Sequence, residues 1–143
     1  MTDGARAAWA PPRAHFLIAG EGSDRAAVRG AIERLPVDAY GQVFVEVASG
    51  IQVERWPTPR GVSITWLFRD AAAARGRPAV RGALIERAVT AWVAEWMPGP
   101  ASGREIPYVM WLGCASSTRI DQLCERLAWS FDHVHLHDPR ADA

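Results

Sequence analysis

The sequence predicts an α/β domain built on a mostly parallel sheet with helices on both faces. Three observations carry this. Short apolar runs such as His15-Phe16-Leu17-Ile18-Ala19 and Val43 to Val47 read as strands buried on both sides. Longer segments between them repeat apolar residues at helical spacing. Two of the runs end at a glycine, Gly20 and Gly113, directly before a predicted helix. That junction is the mark of strands that must cross over to a parallel neighbour.

The elements follow in order. The first strand, His15 to Ala19, leads through Gly20 to a helix capped by Ser23, with Asp24 in its first turn. Val28, Ala31, Ile32 and Leu35 form that helix's apolar stripe, and Pro36 stops it. Val43 to Val47 is the second strand. Ile51 to Trp56 then alternates apolar and polar after Ser49-Gly50, a possible turn, which on pattern alone could be a hairpin arm. Val62 to Phe68 is a further strand. Val80 to Trp96 reads as a long helix, with Val80, Leu84, Ala88, Trp92 and Val93 on one face and Val89 and Trp96 widening it. Met97 to Pro107 is a Pro/Gly loop. Pro107 to Leu112 is the next strand. Ser116 or Ser117 caps a helix whose stripe is Ile120, Leu123, Cys124 and Leu127. His133 to His137 alternates as the last strand.

Composition narrows the function classes. A length of 143 residues suits one domain, with residues 1–14 and 139–143 as tails and 15–138 as the folded unit. Lys+Arg and Asp+Glu both number 16, so no net charge points to nucleic acid. Cys114 and Cys124 make neither a disulfide framework nor a common zinc spacing. No apolar run reaches the length of a membrane span or a signal core, which predicts a cytoplasmic protein.

In an open parallel sheet, ligands bind beyond the carboxyl ends of the strands where the strand order reverses. Two loops suit that place: Gly20-Glu21-Gly22-Ser23 and Gly113-Cys114-Ala115-Ser116. Glycine admits close backbone approach, and a helix N-terminus offers amide donors to phosphate. Gly20-x-Gly22 lacks the third glycine of the dinucleotide fingerprint, and the pattern alone slightly favours two tight turns that bind nothing.

Other residues carry alternatives. His133, His135 and His137 share one strand face and, with Asp138, could hold Zn²⁺ or Fe²⁺. The favoured alternative is an edge strand with Val134 and Leu136 inward. Cys114 is either a reactive thiol or a small turn residue. Trp66 and Trp111 read as core. Trp92, Trp96, Trp56 and Trp129 could equally be core or a partner surface.

Taken together, His15 to Glu21 with its following helix, Val45-Glu46-Val47-Ala48, Gly61 to Leu67 with Thr65-Trp66-Leu67, and Tyr108 to Gly113 resemble the C-terminal domain of siderophore-interacting proteins. The resemblance covers residues 15 to 128 in order. It implies a three-layer, Rossmann-like domain of the ferredoxin-reductase C-terminal type, with a five-stranded parallel sheet and residues 49 to 61 as a crossover rather than a hairpin. It also implies NAD(P)H near Gly20, Glu21, Gly22, Ser23, Gly113, Cys114 and Ser116, and a role in ferric-siderophore reduction. Glu46 and Trp66 match recurrent family positions without a ligand role. No flavin-binding half is recognised, so reduction would need a separate flavoprotein. The chain departs from the family at Ala26 and Cys114, and it ends in His133 to Asp138 where the family has an aromatic ending. The alternative is an interaction or homodimerisation module that keeps the fold without nucleotide chemistry.

Overall fold

The computed structural model describes residues 14–72, 76–96, 108–113, 118–130 and 135–137; side chains of 128–130 and 135–137 are left aside. Five parallel strands form one sheet in the order β3-β2-β1-β4-β5. They are β1 (His15–Glu21), β2 (Tyr40–Val47), β3 (Gly61–Phe68), β4 (Tyr108–Leu112) and β5 (His135–His137). Three helices connect them: α1 (Arg25–Glu33), α2 (Ala83–Trp96) and α3 (Thr118–Ser130). Among the described residues no helix is long and apolar enough to cross a membrane.

Strand alternation divides the core into two layers. On one face Leu17, Ala19, Met110 and Leu112 pack with Ile85, Val89 and Trp92 of α2 and with Ile120, Leu123 and Leu127 of α3. On the other, Ile18, Val43, Val45 and Val47 pack with Val28 and Ile32 of α1. Burying each such aliphatic side chain contributes about 1.5–3 kcal/mol. This is the expected three-layer α/β architecture, and β1 at its centre is the most buried of the strands.

The crossover at 49–61 is borne out, and two local expectations are corrected. Between β2 and β3 the chain makes no hairpin, because the two strands pair in parallel. Residues 48–60 cross over without an α-helix, through a 3₁₀ turn at Gly50–Gln52. Within Ile51 to Trp56, Trp56 is buried while Ile51 and Val53 are exposed, so the alternation there does not follow an inner and an outer face. Helix α2 starts at Ala83 rather than Val80, and its inner face is Ile85, Val89 and Trp92. Val80 lies outside the helix and is exposed, and Leu84 and Ala88 are only half-buried. Ser23 does not cap α1; it is exposed within a 3₁₀ turn, Gly22–Asp24, whose N-cap is Glu21.

At the amino edge of the sheet, His15 is buried among the rings of Tyr40, Trp92, Trp96 and Tyr108, at centroid distances of 4.7–5.8 Å. The indole N–H of Trp92 can only donate, so Gln42 must present its oxygen there. The same Oε1 lies 2.7 Å from His15 Nε2, which therefore carries the proton of a neutral ring. Trp92 thus belongs to the interior, and Trp96 packs half-buried against it. Burial lowers the His15 pKa, and the Gln42 hydrogen bond only partly offsets this. A histidine harder to protonate when folded contributes stability above its unfolded pKa of about 6.5 and loses it as pH falls below that value. His15→Gln is therefore expected to flatten the loss of stability between pH 7 and pH 5 in urea titrations; an unchanged slope would contradict this assignment.

Candidate functional site

β1 and β4 are neighbours, and Ala19 pairs directly with Leu112. Gly113 N–H donates to Ala19 O at 2.8 Å, so Gly20 and Gly113 stand side by side at the carboxyl edge. Sequence order reverses there: β1 is followed in space by β2 on one side and β4 on the other. This is the switch point of the sheet.

Both glycines are dictated by close packing. A Cβ on Gly20 would lie 2.6 Å from Val28 Cγ2, and one on Gly113 would lie 2.5 Å from the Trp111 ring. The space between them is shared by a residue that the sequence places only in a helix first turn. Asp24 Cβ lies 3.3 Å from the Cβ position of Gly20 and 3.5 Å from that of Gly113. Its Oδ2 accepts from Glu21 N–H at 3.2 Å. Desolvation raises the Asp24 pKa, with Glu21 N–H opposing, the Glu21 carboxylate adding, and Arg81 opposing.

Glu21 is buried at the last position of β1. Arg81, from the segment before α2, grips it bidentately, with Nε at 2.6 Å and 3.1 Å from the two oxygens and a terminal nitrogen at 2.9 Å. Beside it on β2, Glu46 is 1% exposed. Its carboxylate accepts from the N–H groups of Gly82, Leu84 and Ile85 at 2.8, 3.1 and 3.1 Å, and Arg69 lies 3.9 Å away. Glu46 therefore caps the N-terminus of α2 and faces its dipole. On the far side of the loop, Arg25 bonds Gly22 O at 2.9 Å and Glu54 at 3.3 Å.

The carboxyl edge is thus a row of carboxylate–guanidinium pairs around a notch between Gly20 and Gly113 that Val28, Asp24 and the Trp111 ring pack closely. Gly20 and Glu21 end β1, Gly22 sits in the following turn, Ser23 faces solvent and Gly113 closes the far wall. Cys114, Ser116 and His133 lie outside the described residues. His135 and His137 lie on β5, an edge strand. Sequence reasoning missed Arg81, Asp24's position in the notch, and the capping role of Glu46. An acid inside the apolar run Val43 to Val47 was the one available signal, since a buried carboxylate requires a partner.

Comparison with known proteins gives the lineage. The family model described as "Siderophore-interacting protein" matches residues 13–128. The chain belongs to the siderophore-interacting protein family. Uncharacterized proteins of Mycobacterium tuberculosis and Mycobacterium bovis are 35% identical over 97 residues, which is 64% of this chain and 33% of theirs. A siderophore utilization protein from T. fusca superposes with a TM-score of 0.59 at 26% identity, covering 91% of this chain and 46% of that one. The siderophore-interacting protein SipS from Aeromonas hydrophila gives 0.56 at 17%, covering 90% and 51%, a likeness of fold alone. The chain therefore spans 33% of the curated relatives' length and 46–51% of these solved chains.

Proposed function

We propose that this domain serves siderophore utilisation in the cytoplasm, as the nicotinamide-nucleotide-binding part of a flavin-dependent ferric-siderophore reductase. The observation that carries the reading is the Ala19–Leu112 pairing, which sets Gly20 and Gly113 together at the switch point. NAD(P)H would supply the hydride, and this chain would hold its phosphates. The residues fit that group in part. The glycine edges and the strand order favour it. The Asp24 carboxylate opposes it, because it lies close to Gly20 and already takes the Glu21 amide that a phosphate would use.

That same carboxylate favours a second reading, in which the fold persists as an interaction module without nucleotide chemistry. Calorimetric titration with NADH and NADPH at pH 7.5 separates the two. Under the first reading Asp24→Asn, which keeps the hydrogen bond to Glu21 and removes the charge, binds at least about fivefold more tightly than the native chain. Absence of heat with both nucleotides in both proteins would leave only the module.

A further inference from the structure

Three carboxylates stand at the carboxyl edge, and they are held in different ways. Glu46 accepts from three amides at the start of α2, with Arg69 close by. Glu21 is gripped by both sides of the Arg81 fork. Each of these two is engaged by charge-assisted bonds. Asp24 differs. Among the described residues it has no salt bridge, and its carboxylate accepts a single hydrogen bond, from Glu21 N–H to Oδ2 at 3.2 Å. The turn returns the contact, because the Asp24 amide faces the Glu21 carboxylate in a capping box. Burial has the largest influence on Asp24 and raises its pKa. The charged groups that face it are Glu21 on β1, whose carboxylate adds to the rise, and Arg81 before α2, which opposes it. Arg25 is occupied with Gly22 O and Glu54, and β4 brings only Gly113 and the neutral Trp111 ring to this place among the described residues.

We propose that a proton on Asp24 gates the nucleotide site, so that the diphosphate binds together with a proton taken up from water by this carboxylate. The inference rests on the nucleotide reading above and adds its regulation by pH. Ionised, Asp24 repels a phosphate and retains the Glu21 amide. Protonated, it carries no charge, accepts more weakly from that amide, and has an O–H to donate to a phosphate oxygen. No covalent bond forms or breaks apart from the O–H bond. An arriving phosphate raises the Asp24 pKa further, as any like charge does. The complex therefore holds more protons than the free protein, and affinity rises as pH falls through the pKa of the complex.

The test is calorimetric titration of the chain with NAD⁺ at pH 5.5, 6.5 and 7.5. The pyrophosphate of NAD⁺ stays ionised throughout, so any proton uptake belongs to the protein. Native affinity is expected to rise about threefold or more from pH 7.5 to pH 5.5. At pH 5.5 the binding heat should change with the ionisation enthalpy of the buffer, in the sense of proton uptake. Asp24→Asn keeps every other titrating group, His15 included. It should bind with a nearly flat pH profile, and its advantage over the native chain should shrink as pH falls. A flat profile for the native chain, or the same slope in both proteins, overturns the gate while the nucleotide site stands. No binding by either protein at any of the three pH values overturns both.

Discussion

Replacing Glu46 by alanine is expected to cost about 3–5 kcal/mol of folding stability, measured by urea denaturation. The carboxylate is buried and is the shared acceptor of three amides at the start of α2. Removing it leaves those N–H groups without their acceptor and strips Arg69 of its nearby charge. Each buried donor left unsatisfied costs about 1–3 kcal/mol. Glu46→Gln keeps one acceptor oxygen but turns an NH₂ group toward other donors, so its loss should fall between. The consequence reaches the site, because Arg81 precedes Gly82 directly and holds Glu21 in place. A loss below about 1 kcal/mol for Glu46→Ala would contradict the capping role.

Gly41→Ala should be at least as damaging, with a loss of about 3 kcal/mol or more. A Cβ at this position would meet Phe16 O at 2.1 Å and Phe16 C at 2.8 Å. These are backbone atoms of the adjacent strand, so no rotamer change relieves the collision. β1 and β2 would have to separate at the Phe16–Gly41 pair. Because β1 also carries Gly20 and Glu21, the disturbance would pass along the strand to the notch. Folding with native stability, by the same denaturation assay, would show that the strands have more freedom than their geometry indicates.

Much of this molecule is legible in its sequence. β1 is readable because a central parallel strand is apolar on both faces, and His15 to Ala19 is written that way. The stripe of α3 is readable because Ile120, Leu123 and Leu127 all face the core, with Cys124 packed at its border. α2 is readable as a helix but not in its facing. It begins three residues after Val80, which is solvent-exposed, so the N-terminal part of the stripe drifts off the core while Val89, Trp92, Val93 and Trp96 meet it. The crossover at 48–60 imitates a strand because Trp56 alone reaches the core from an extended segment. The adjacency of the two glycine-ended strands follows from topology rules that a sequence does obey.

The chemistry of the notch is less legible. The Glu21–Arg81 pair joins residues 60 apart, and the Glu46 cap joins residues 36 to 39 apart. Neither pairing leaves a local pattern. Asp24 reads from sequence as an ordinary first-turn acid, which favours a helix dipole. Only the structure shows that its Cβ lies against both Gly20 and Gly113, with a carboxyl oxygen close to Gly20, where an incoming phosphate would meet like charge. His15 is similar: its aromatic surroundings come from three separate elements of the chain.

The most direct measurement is a ¹⁵N–¹H NMR titration of Asp24→Asn with NADPH, following the amides of Gly20, Gly22 and Gly113. A nucleotide held at the switch point predicts concerted shifts of these three signals, saturating together and weaker at equal concentration in the native chain. Shifts confined to other regions, or no shifts at millimolar nucleotide, would contradict a phosphate site between β1 and β4.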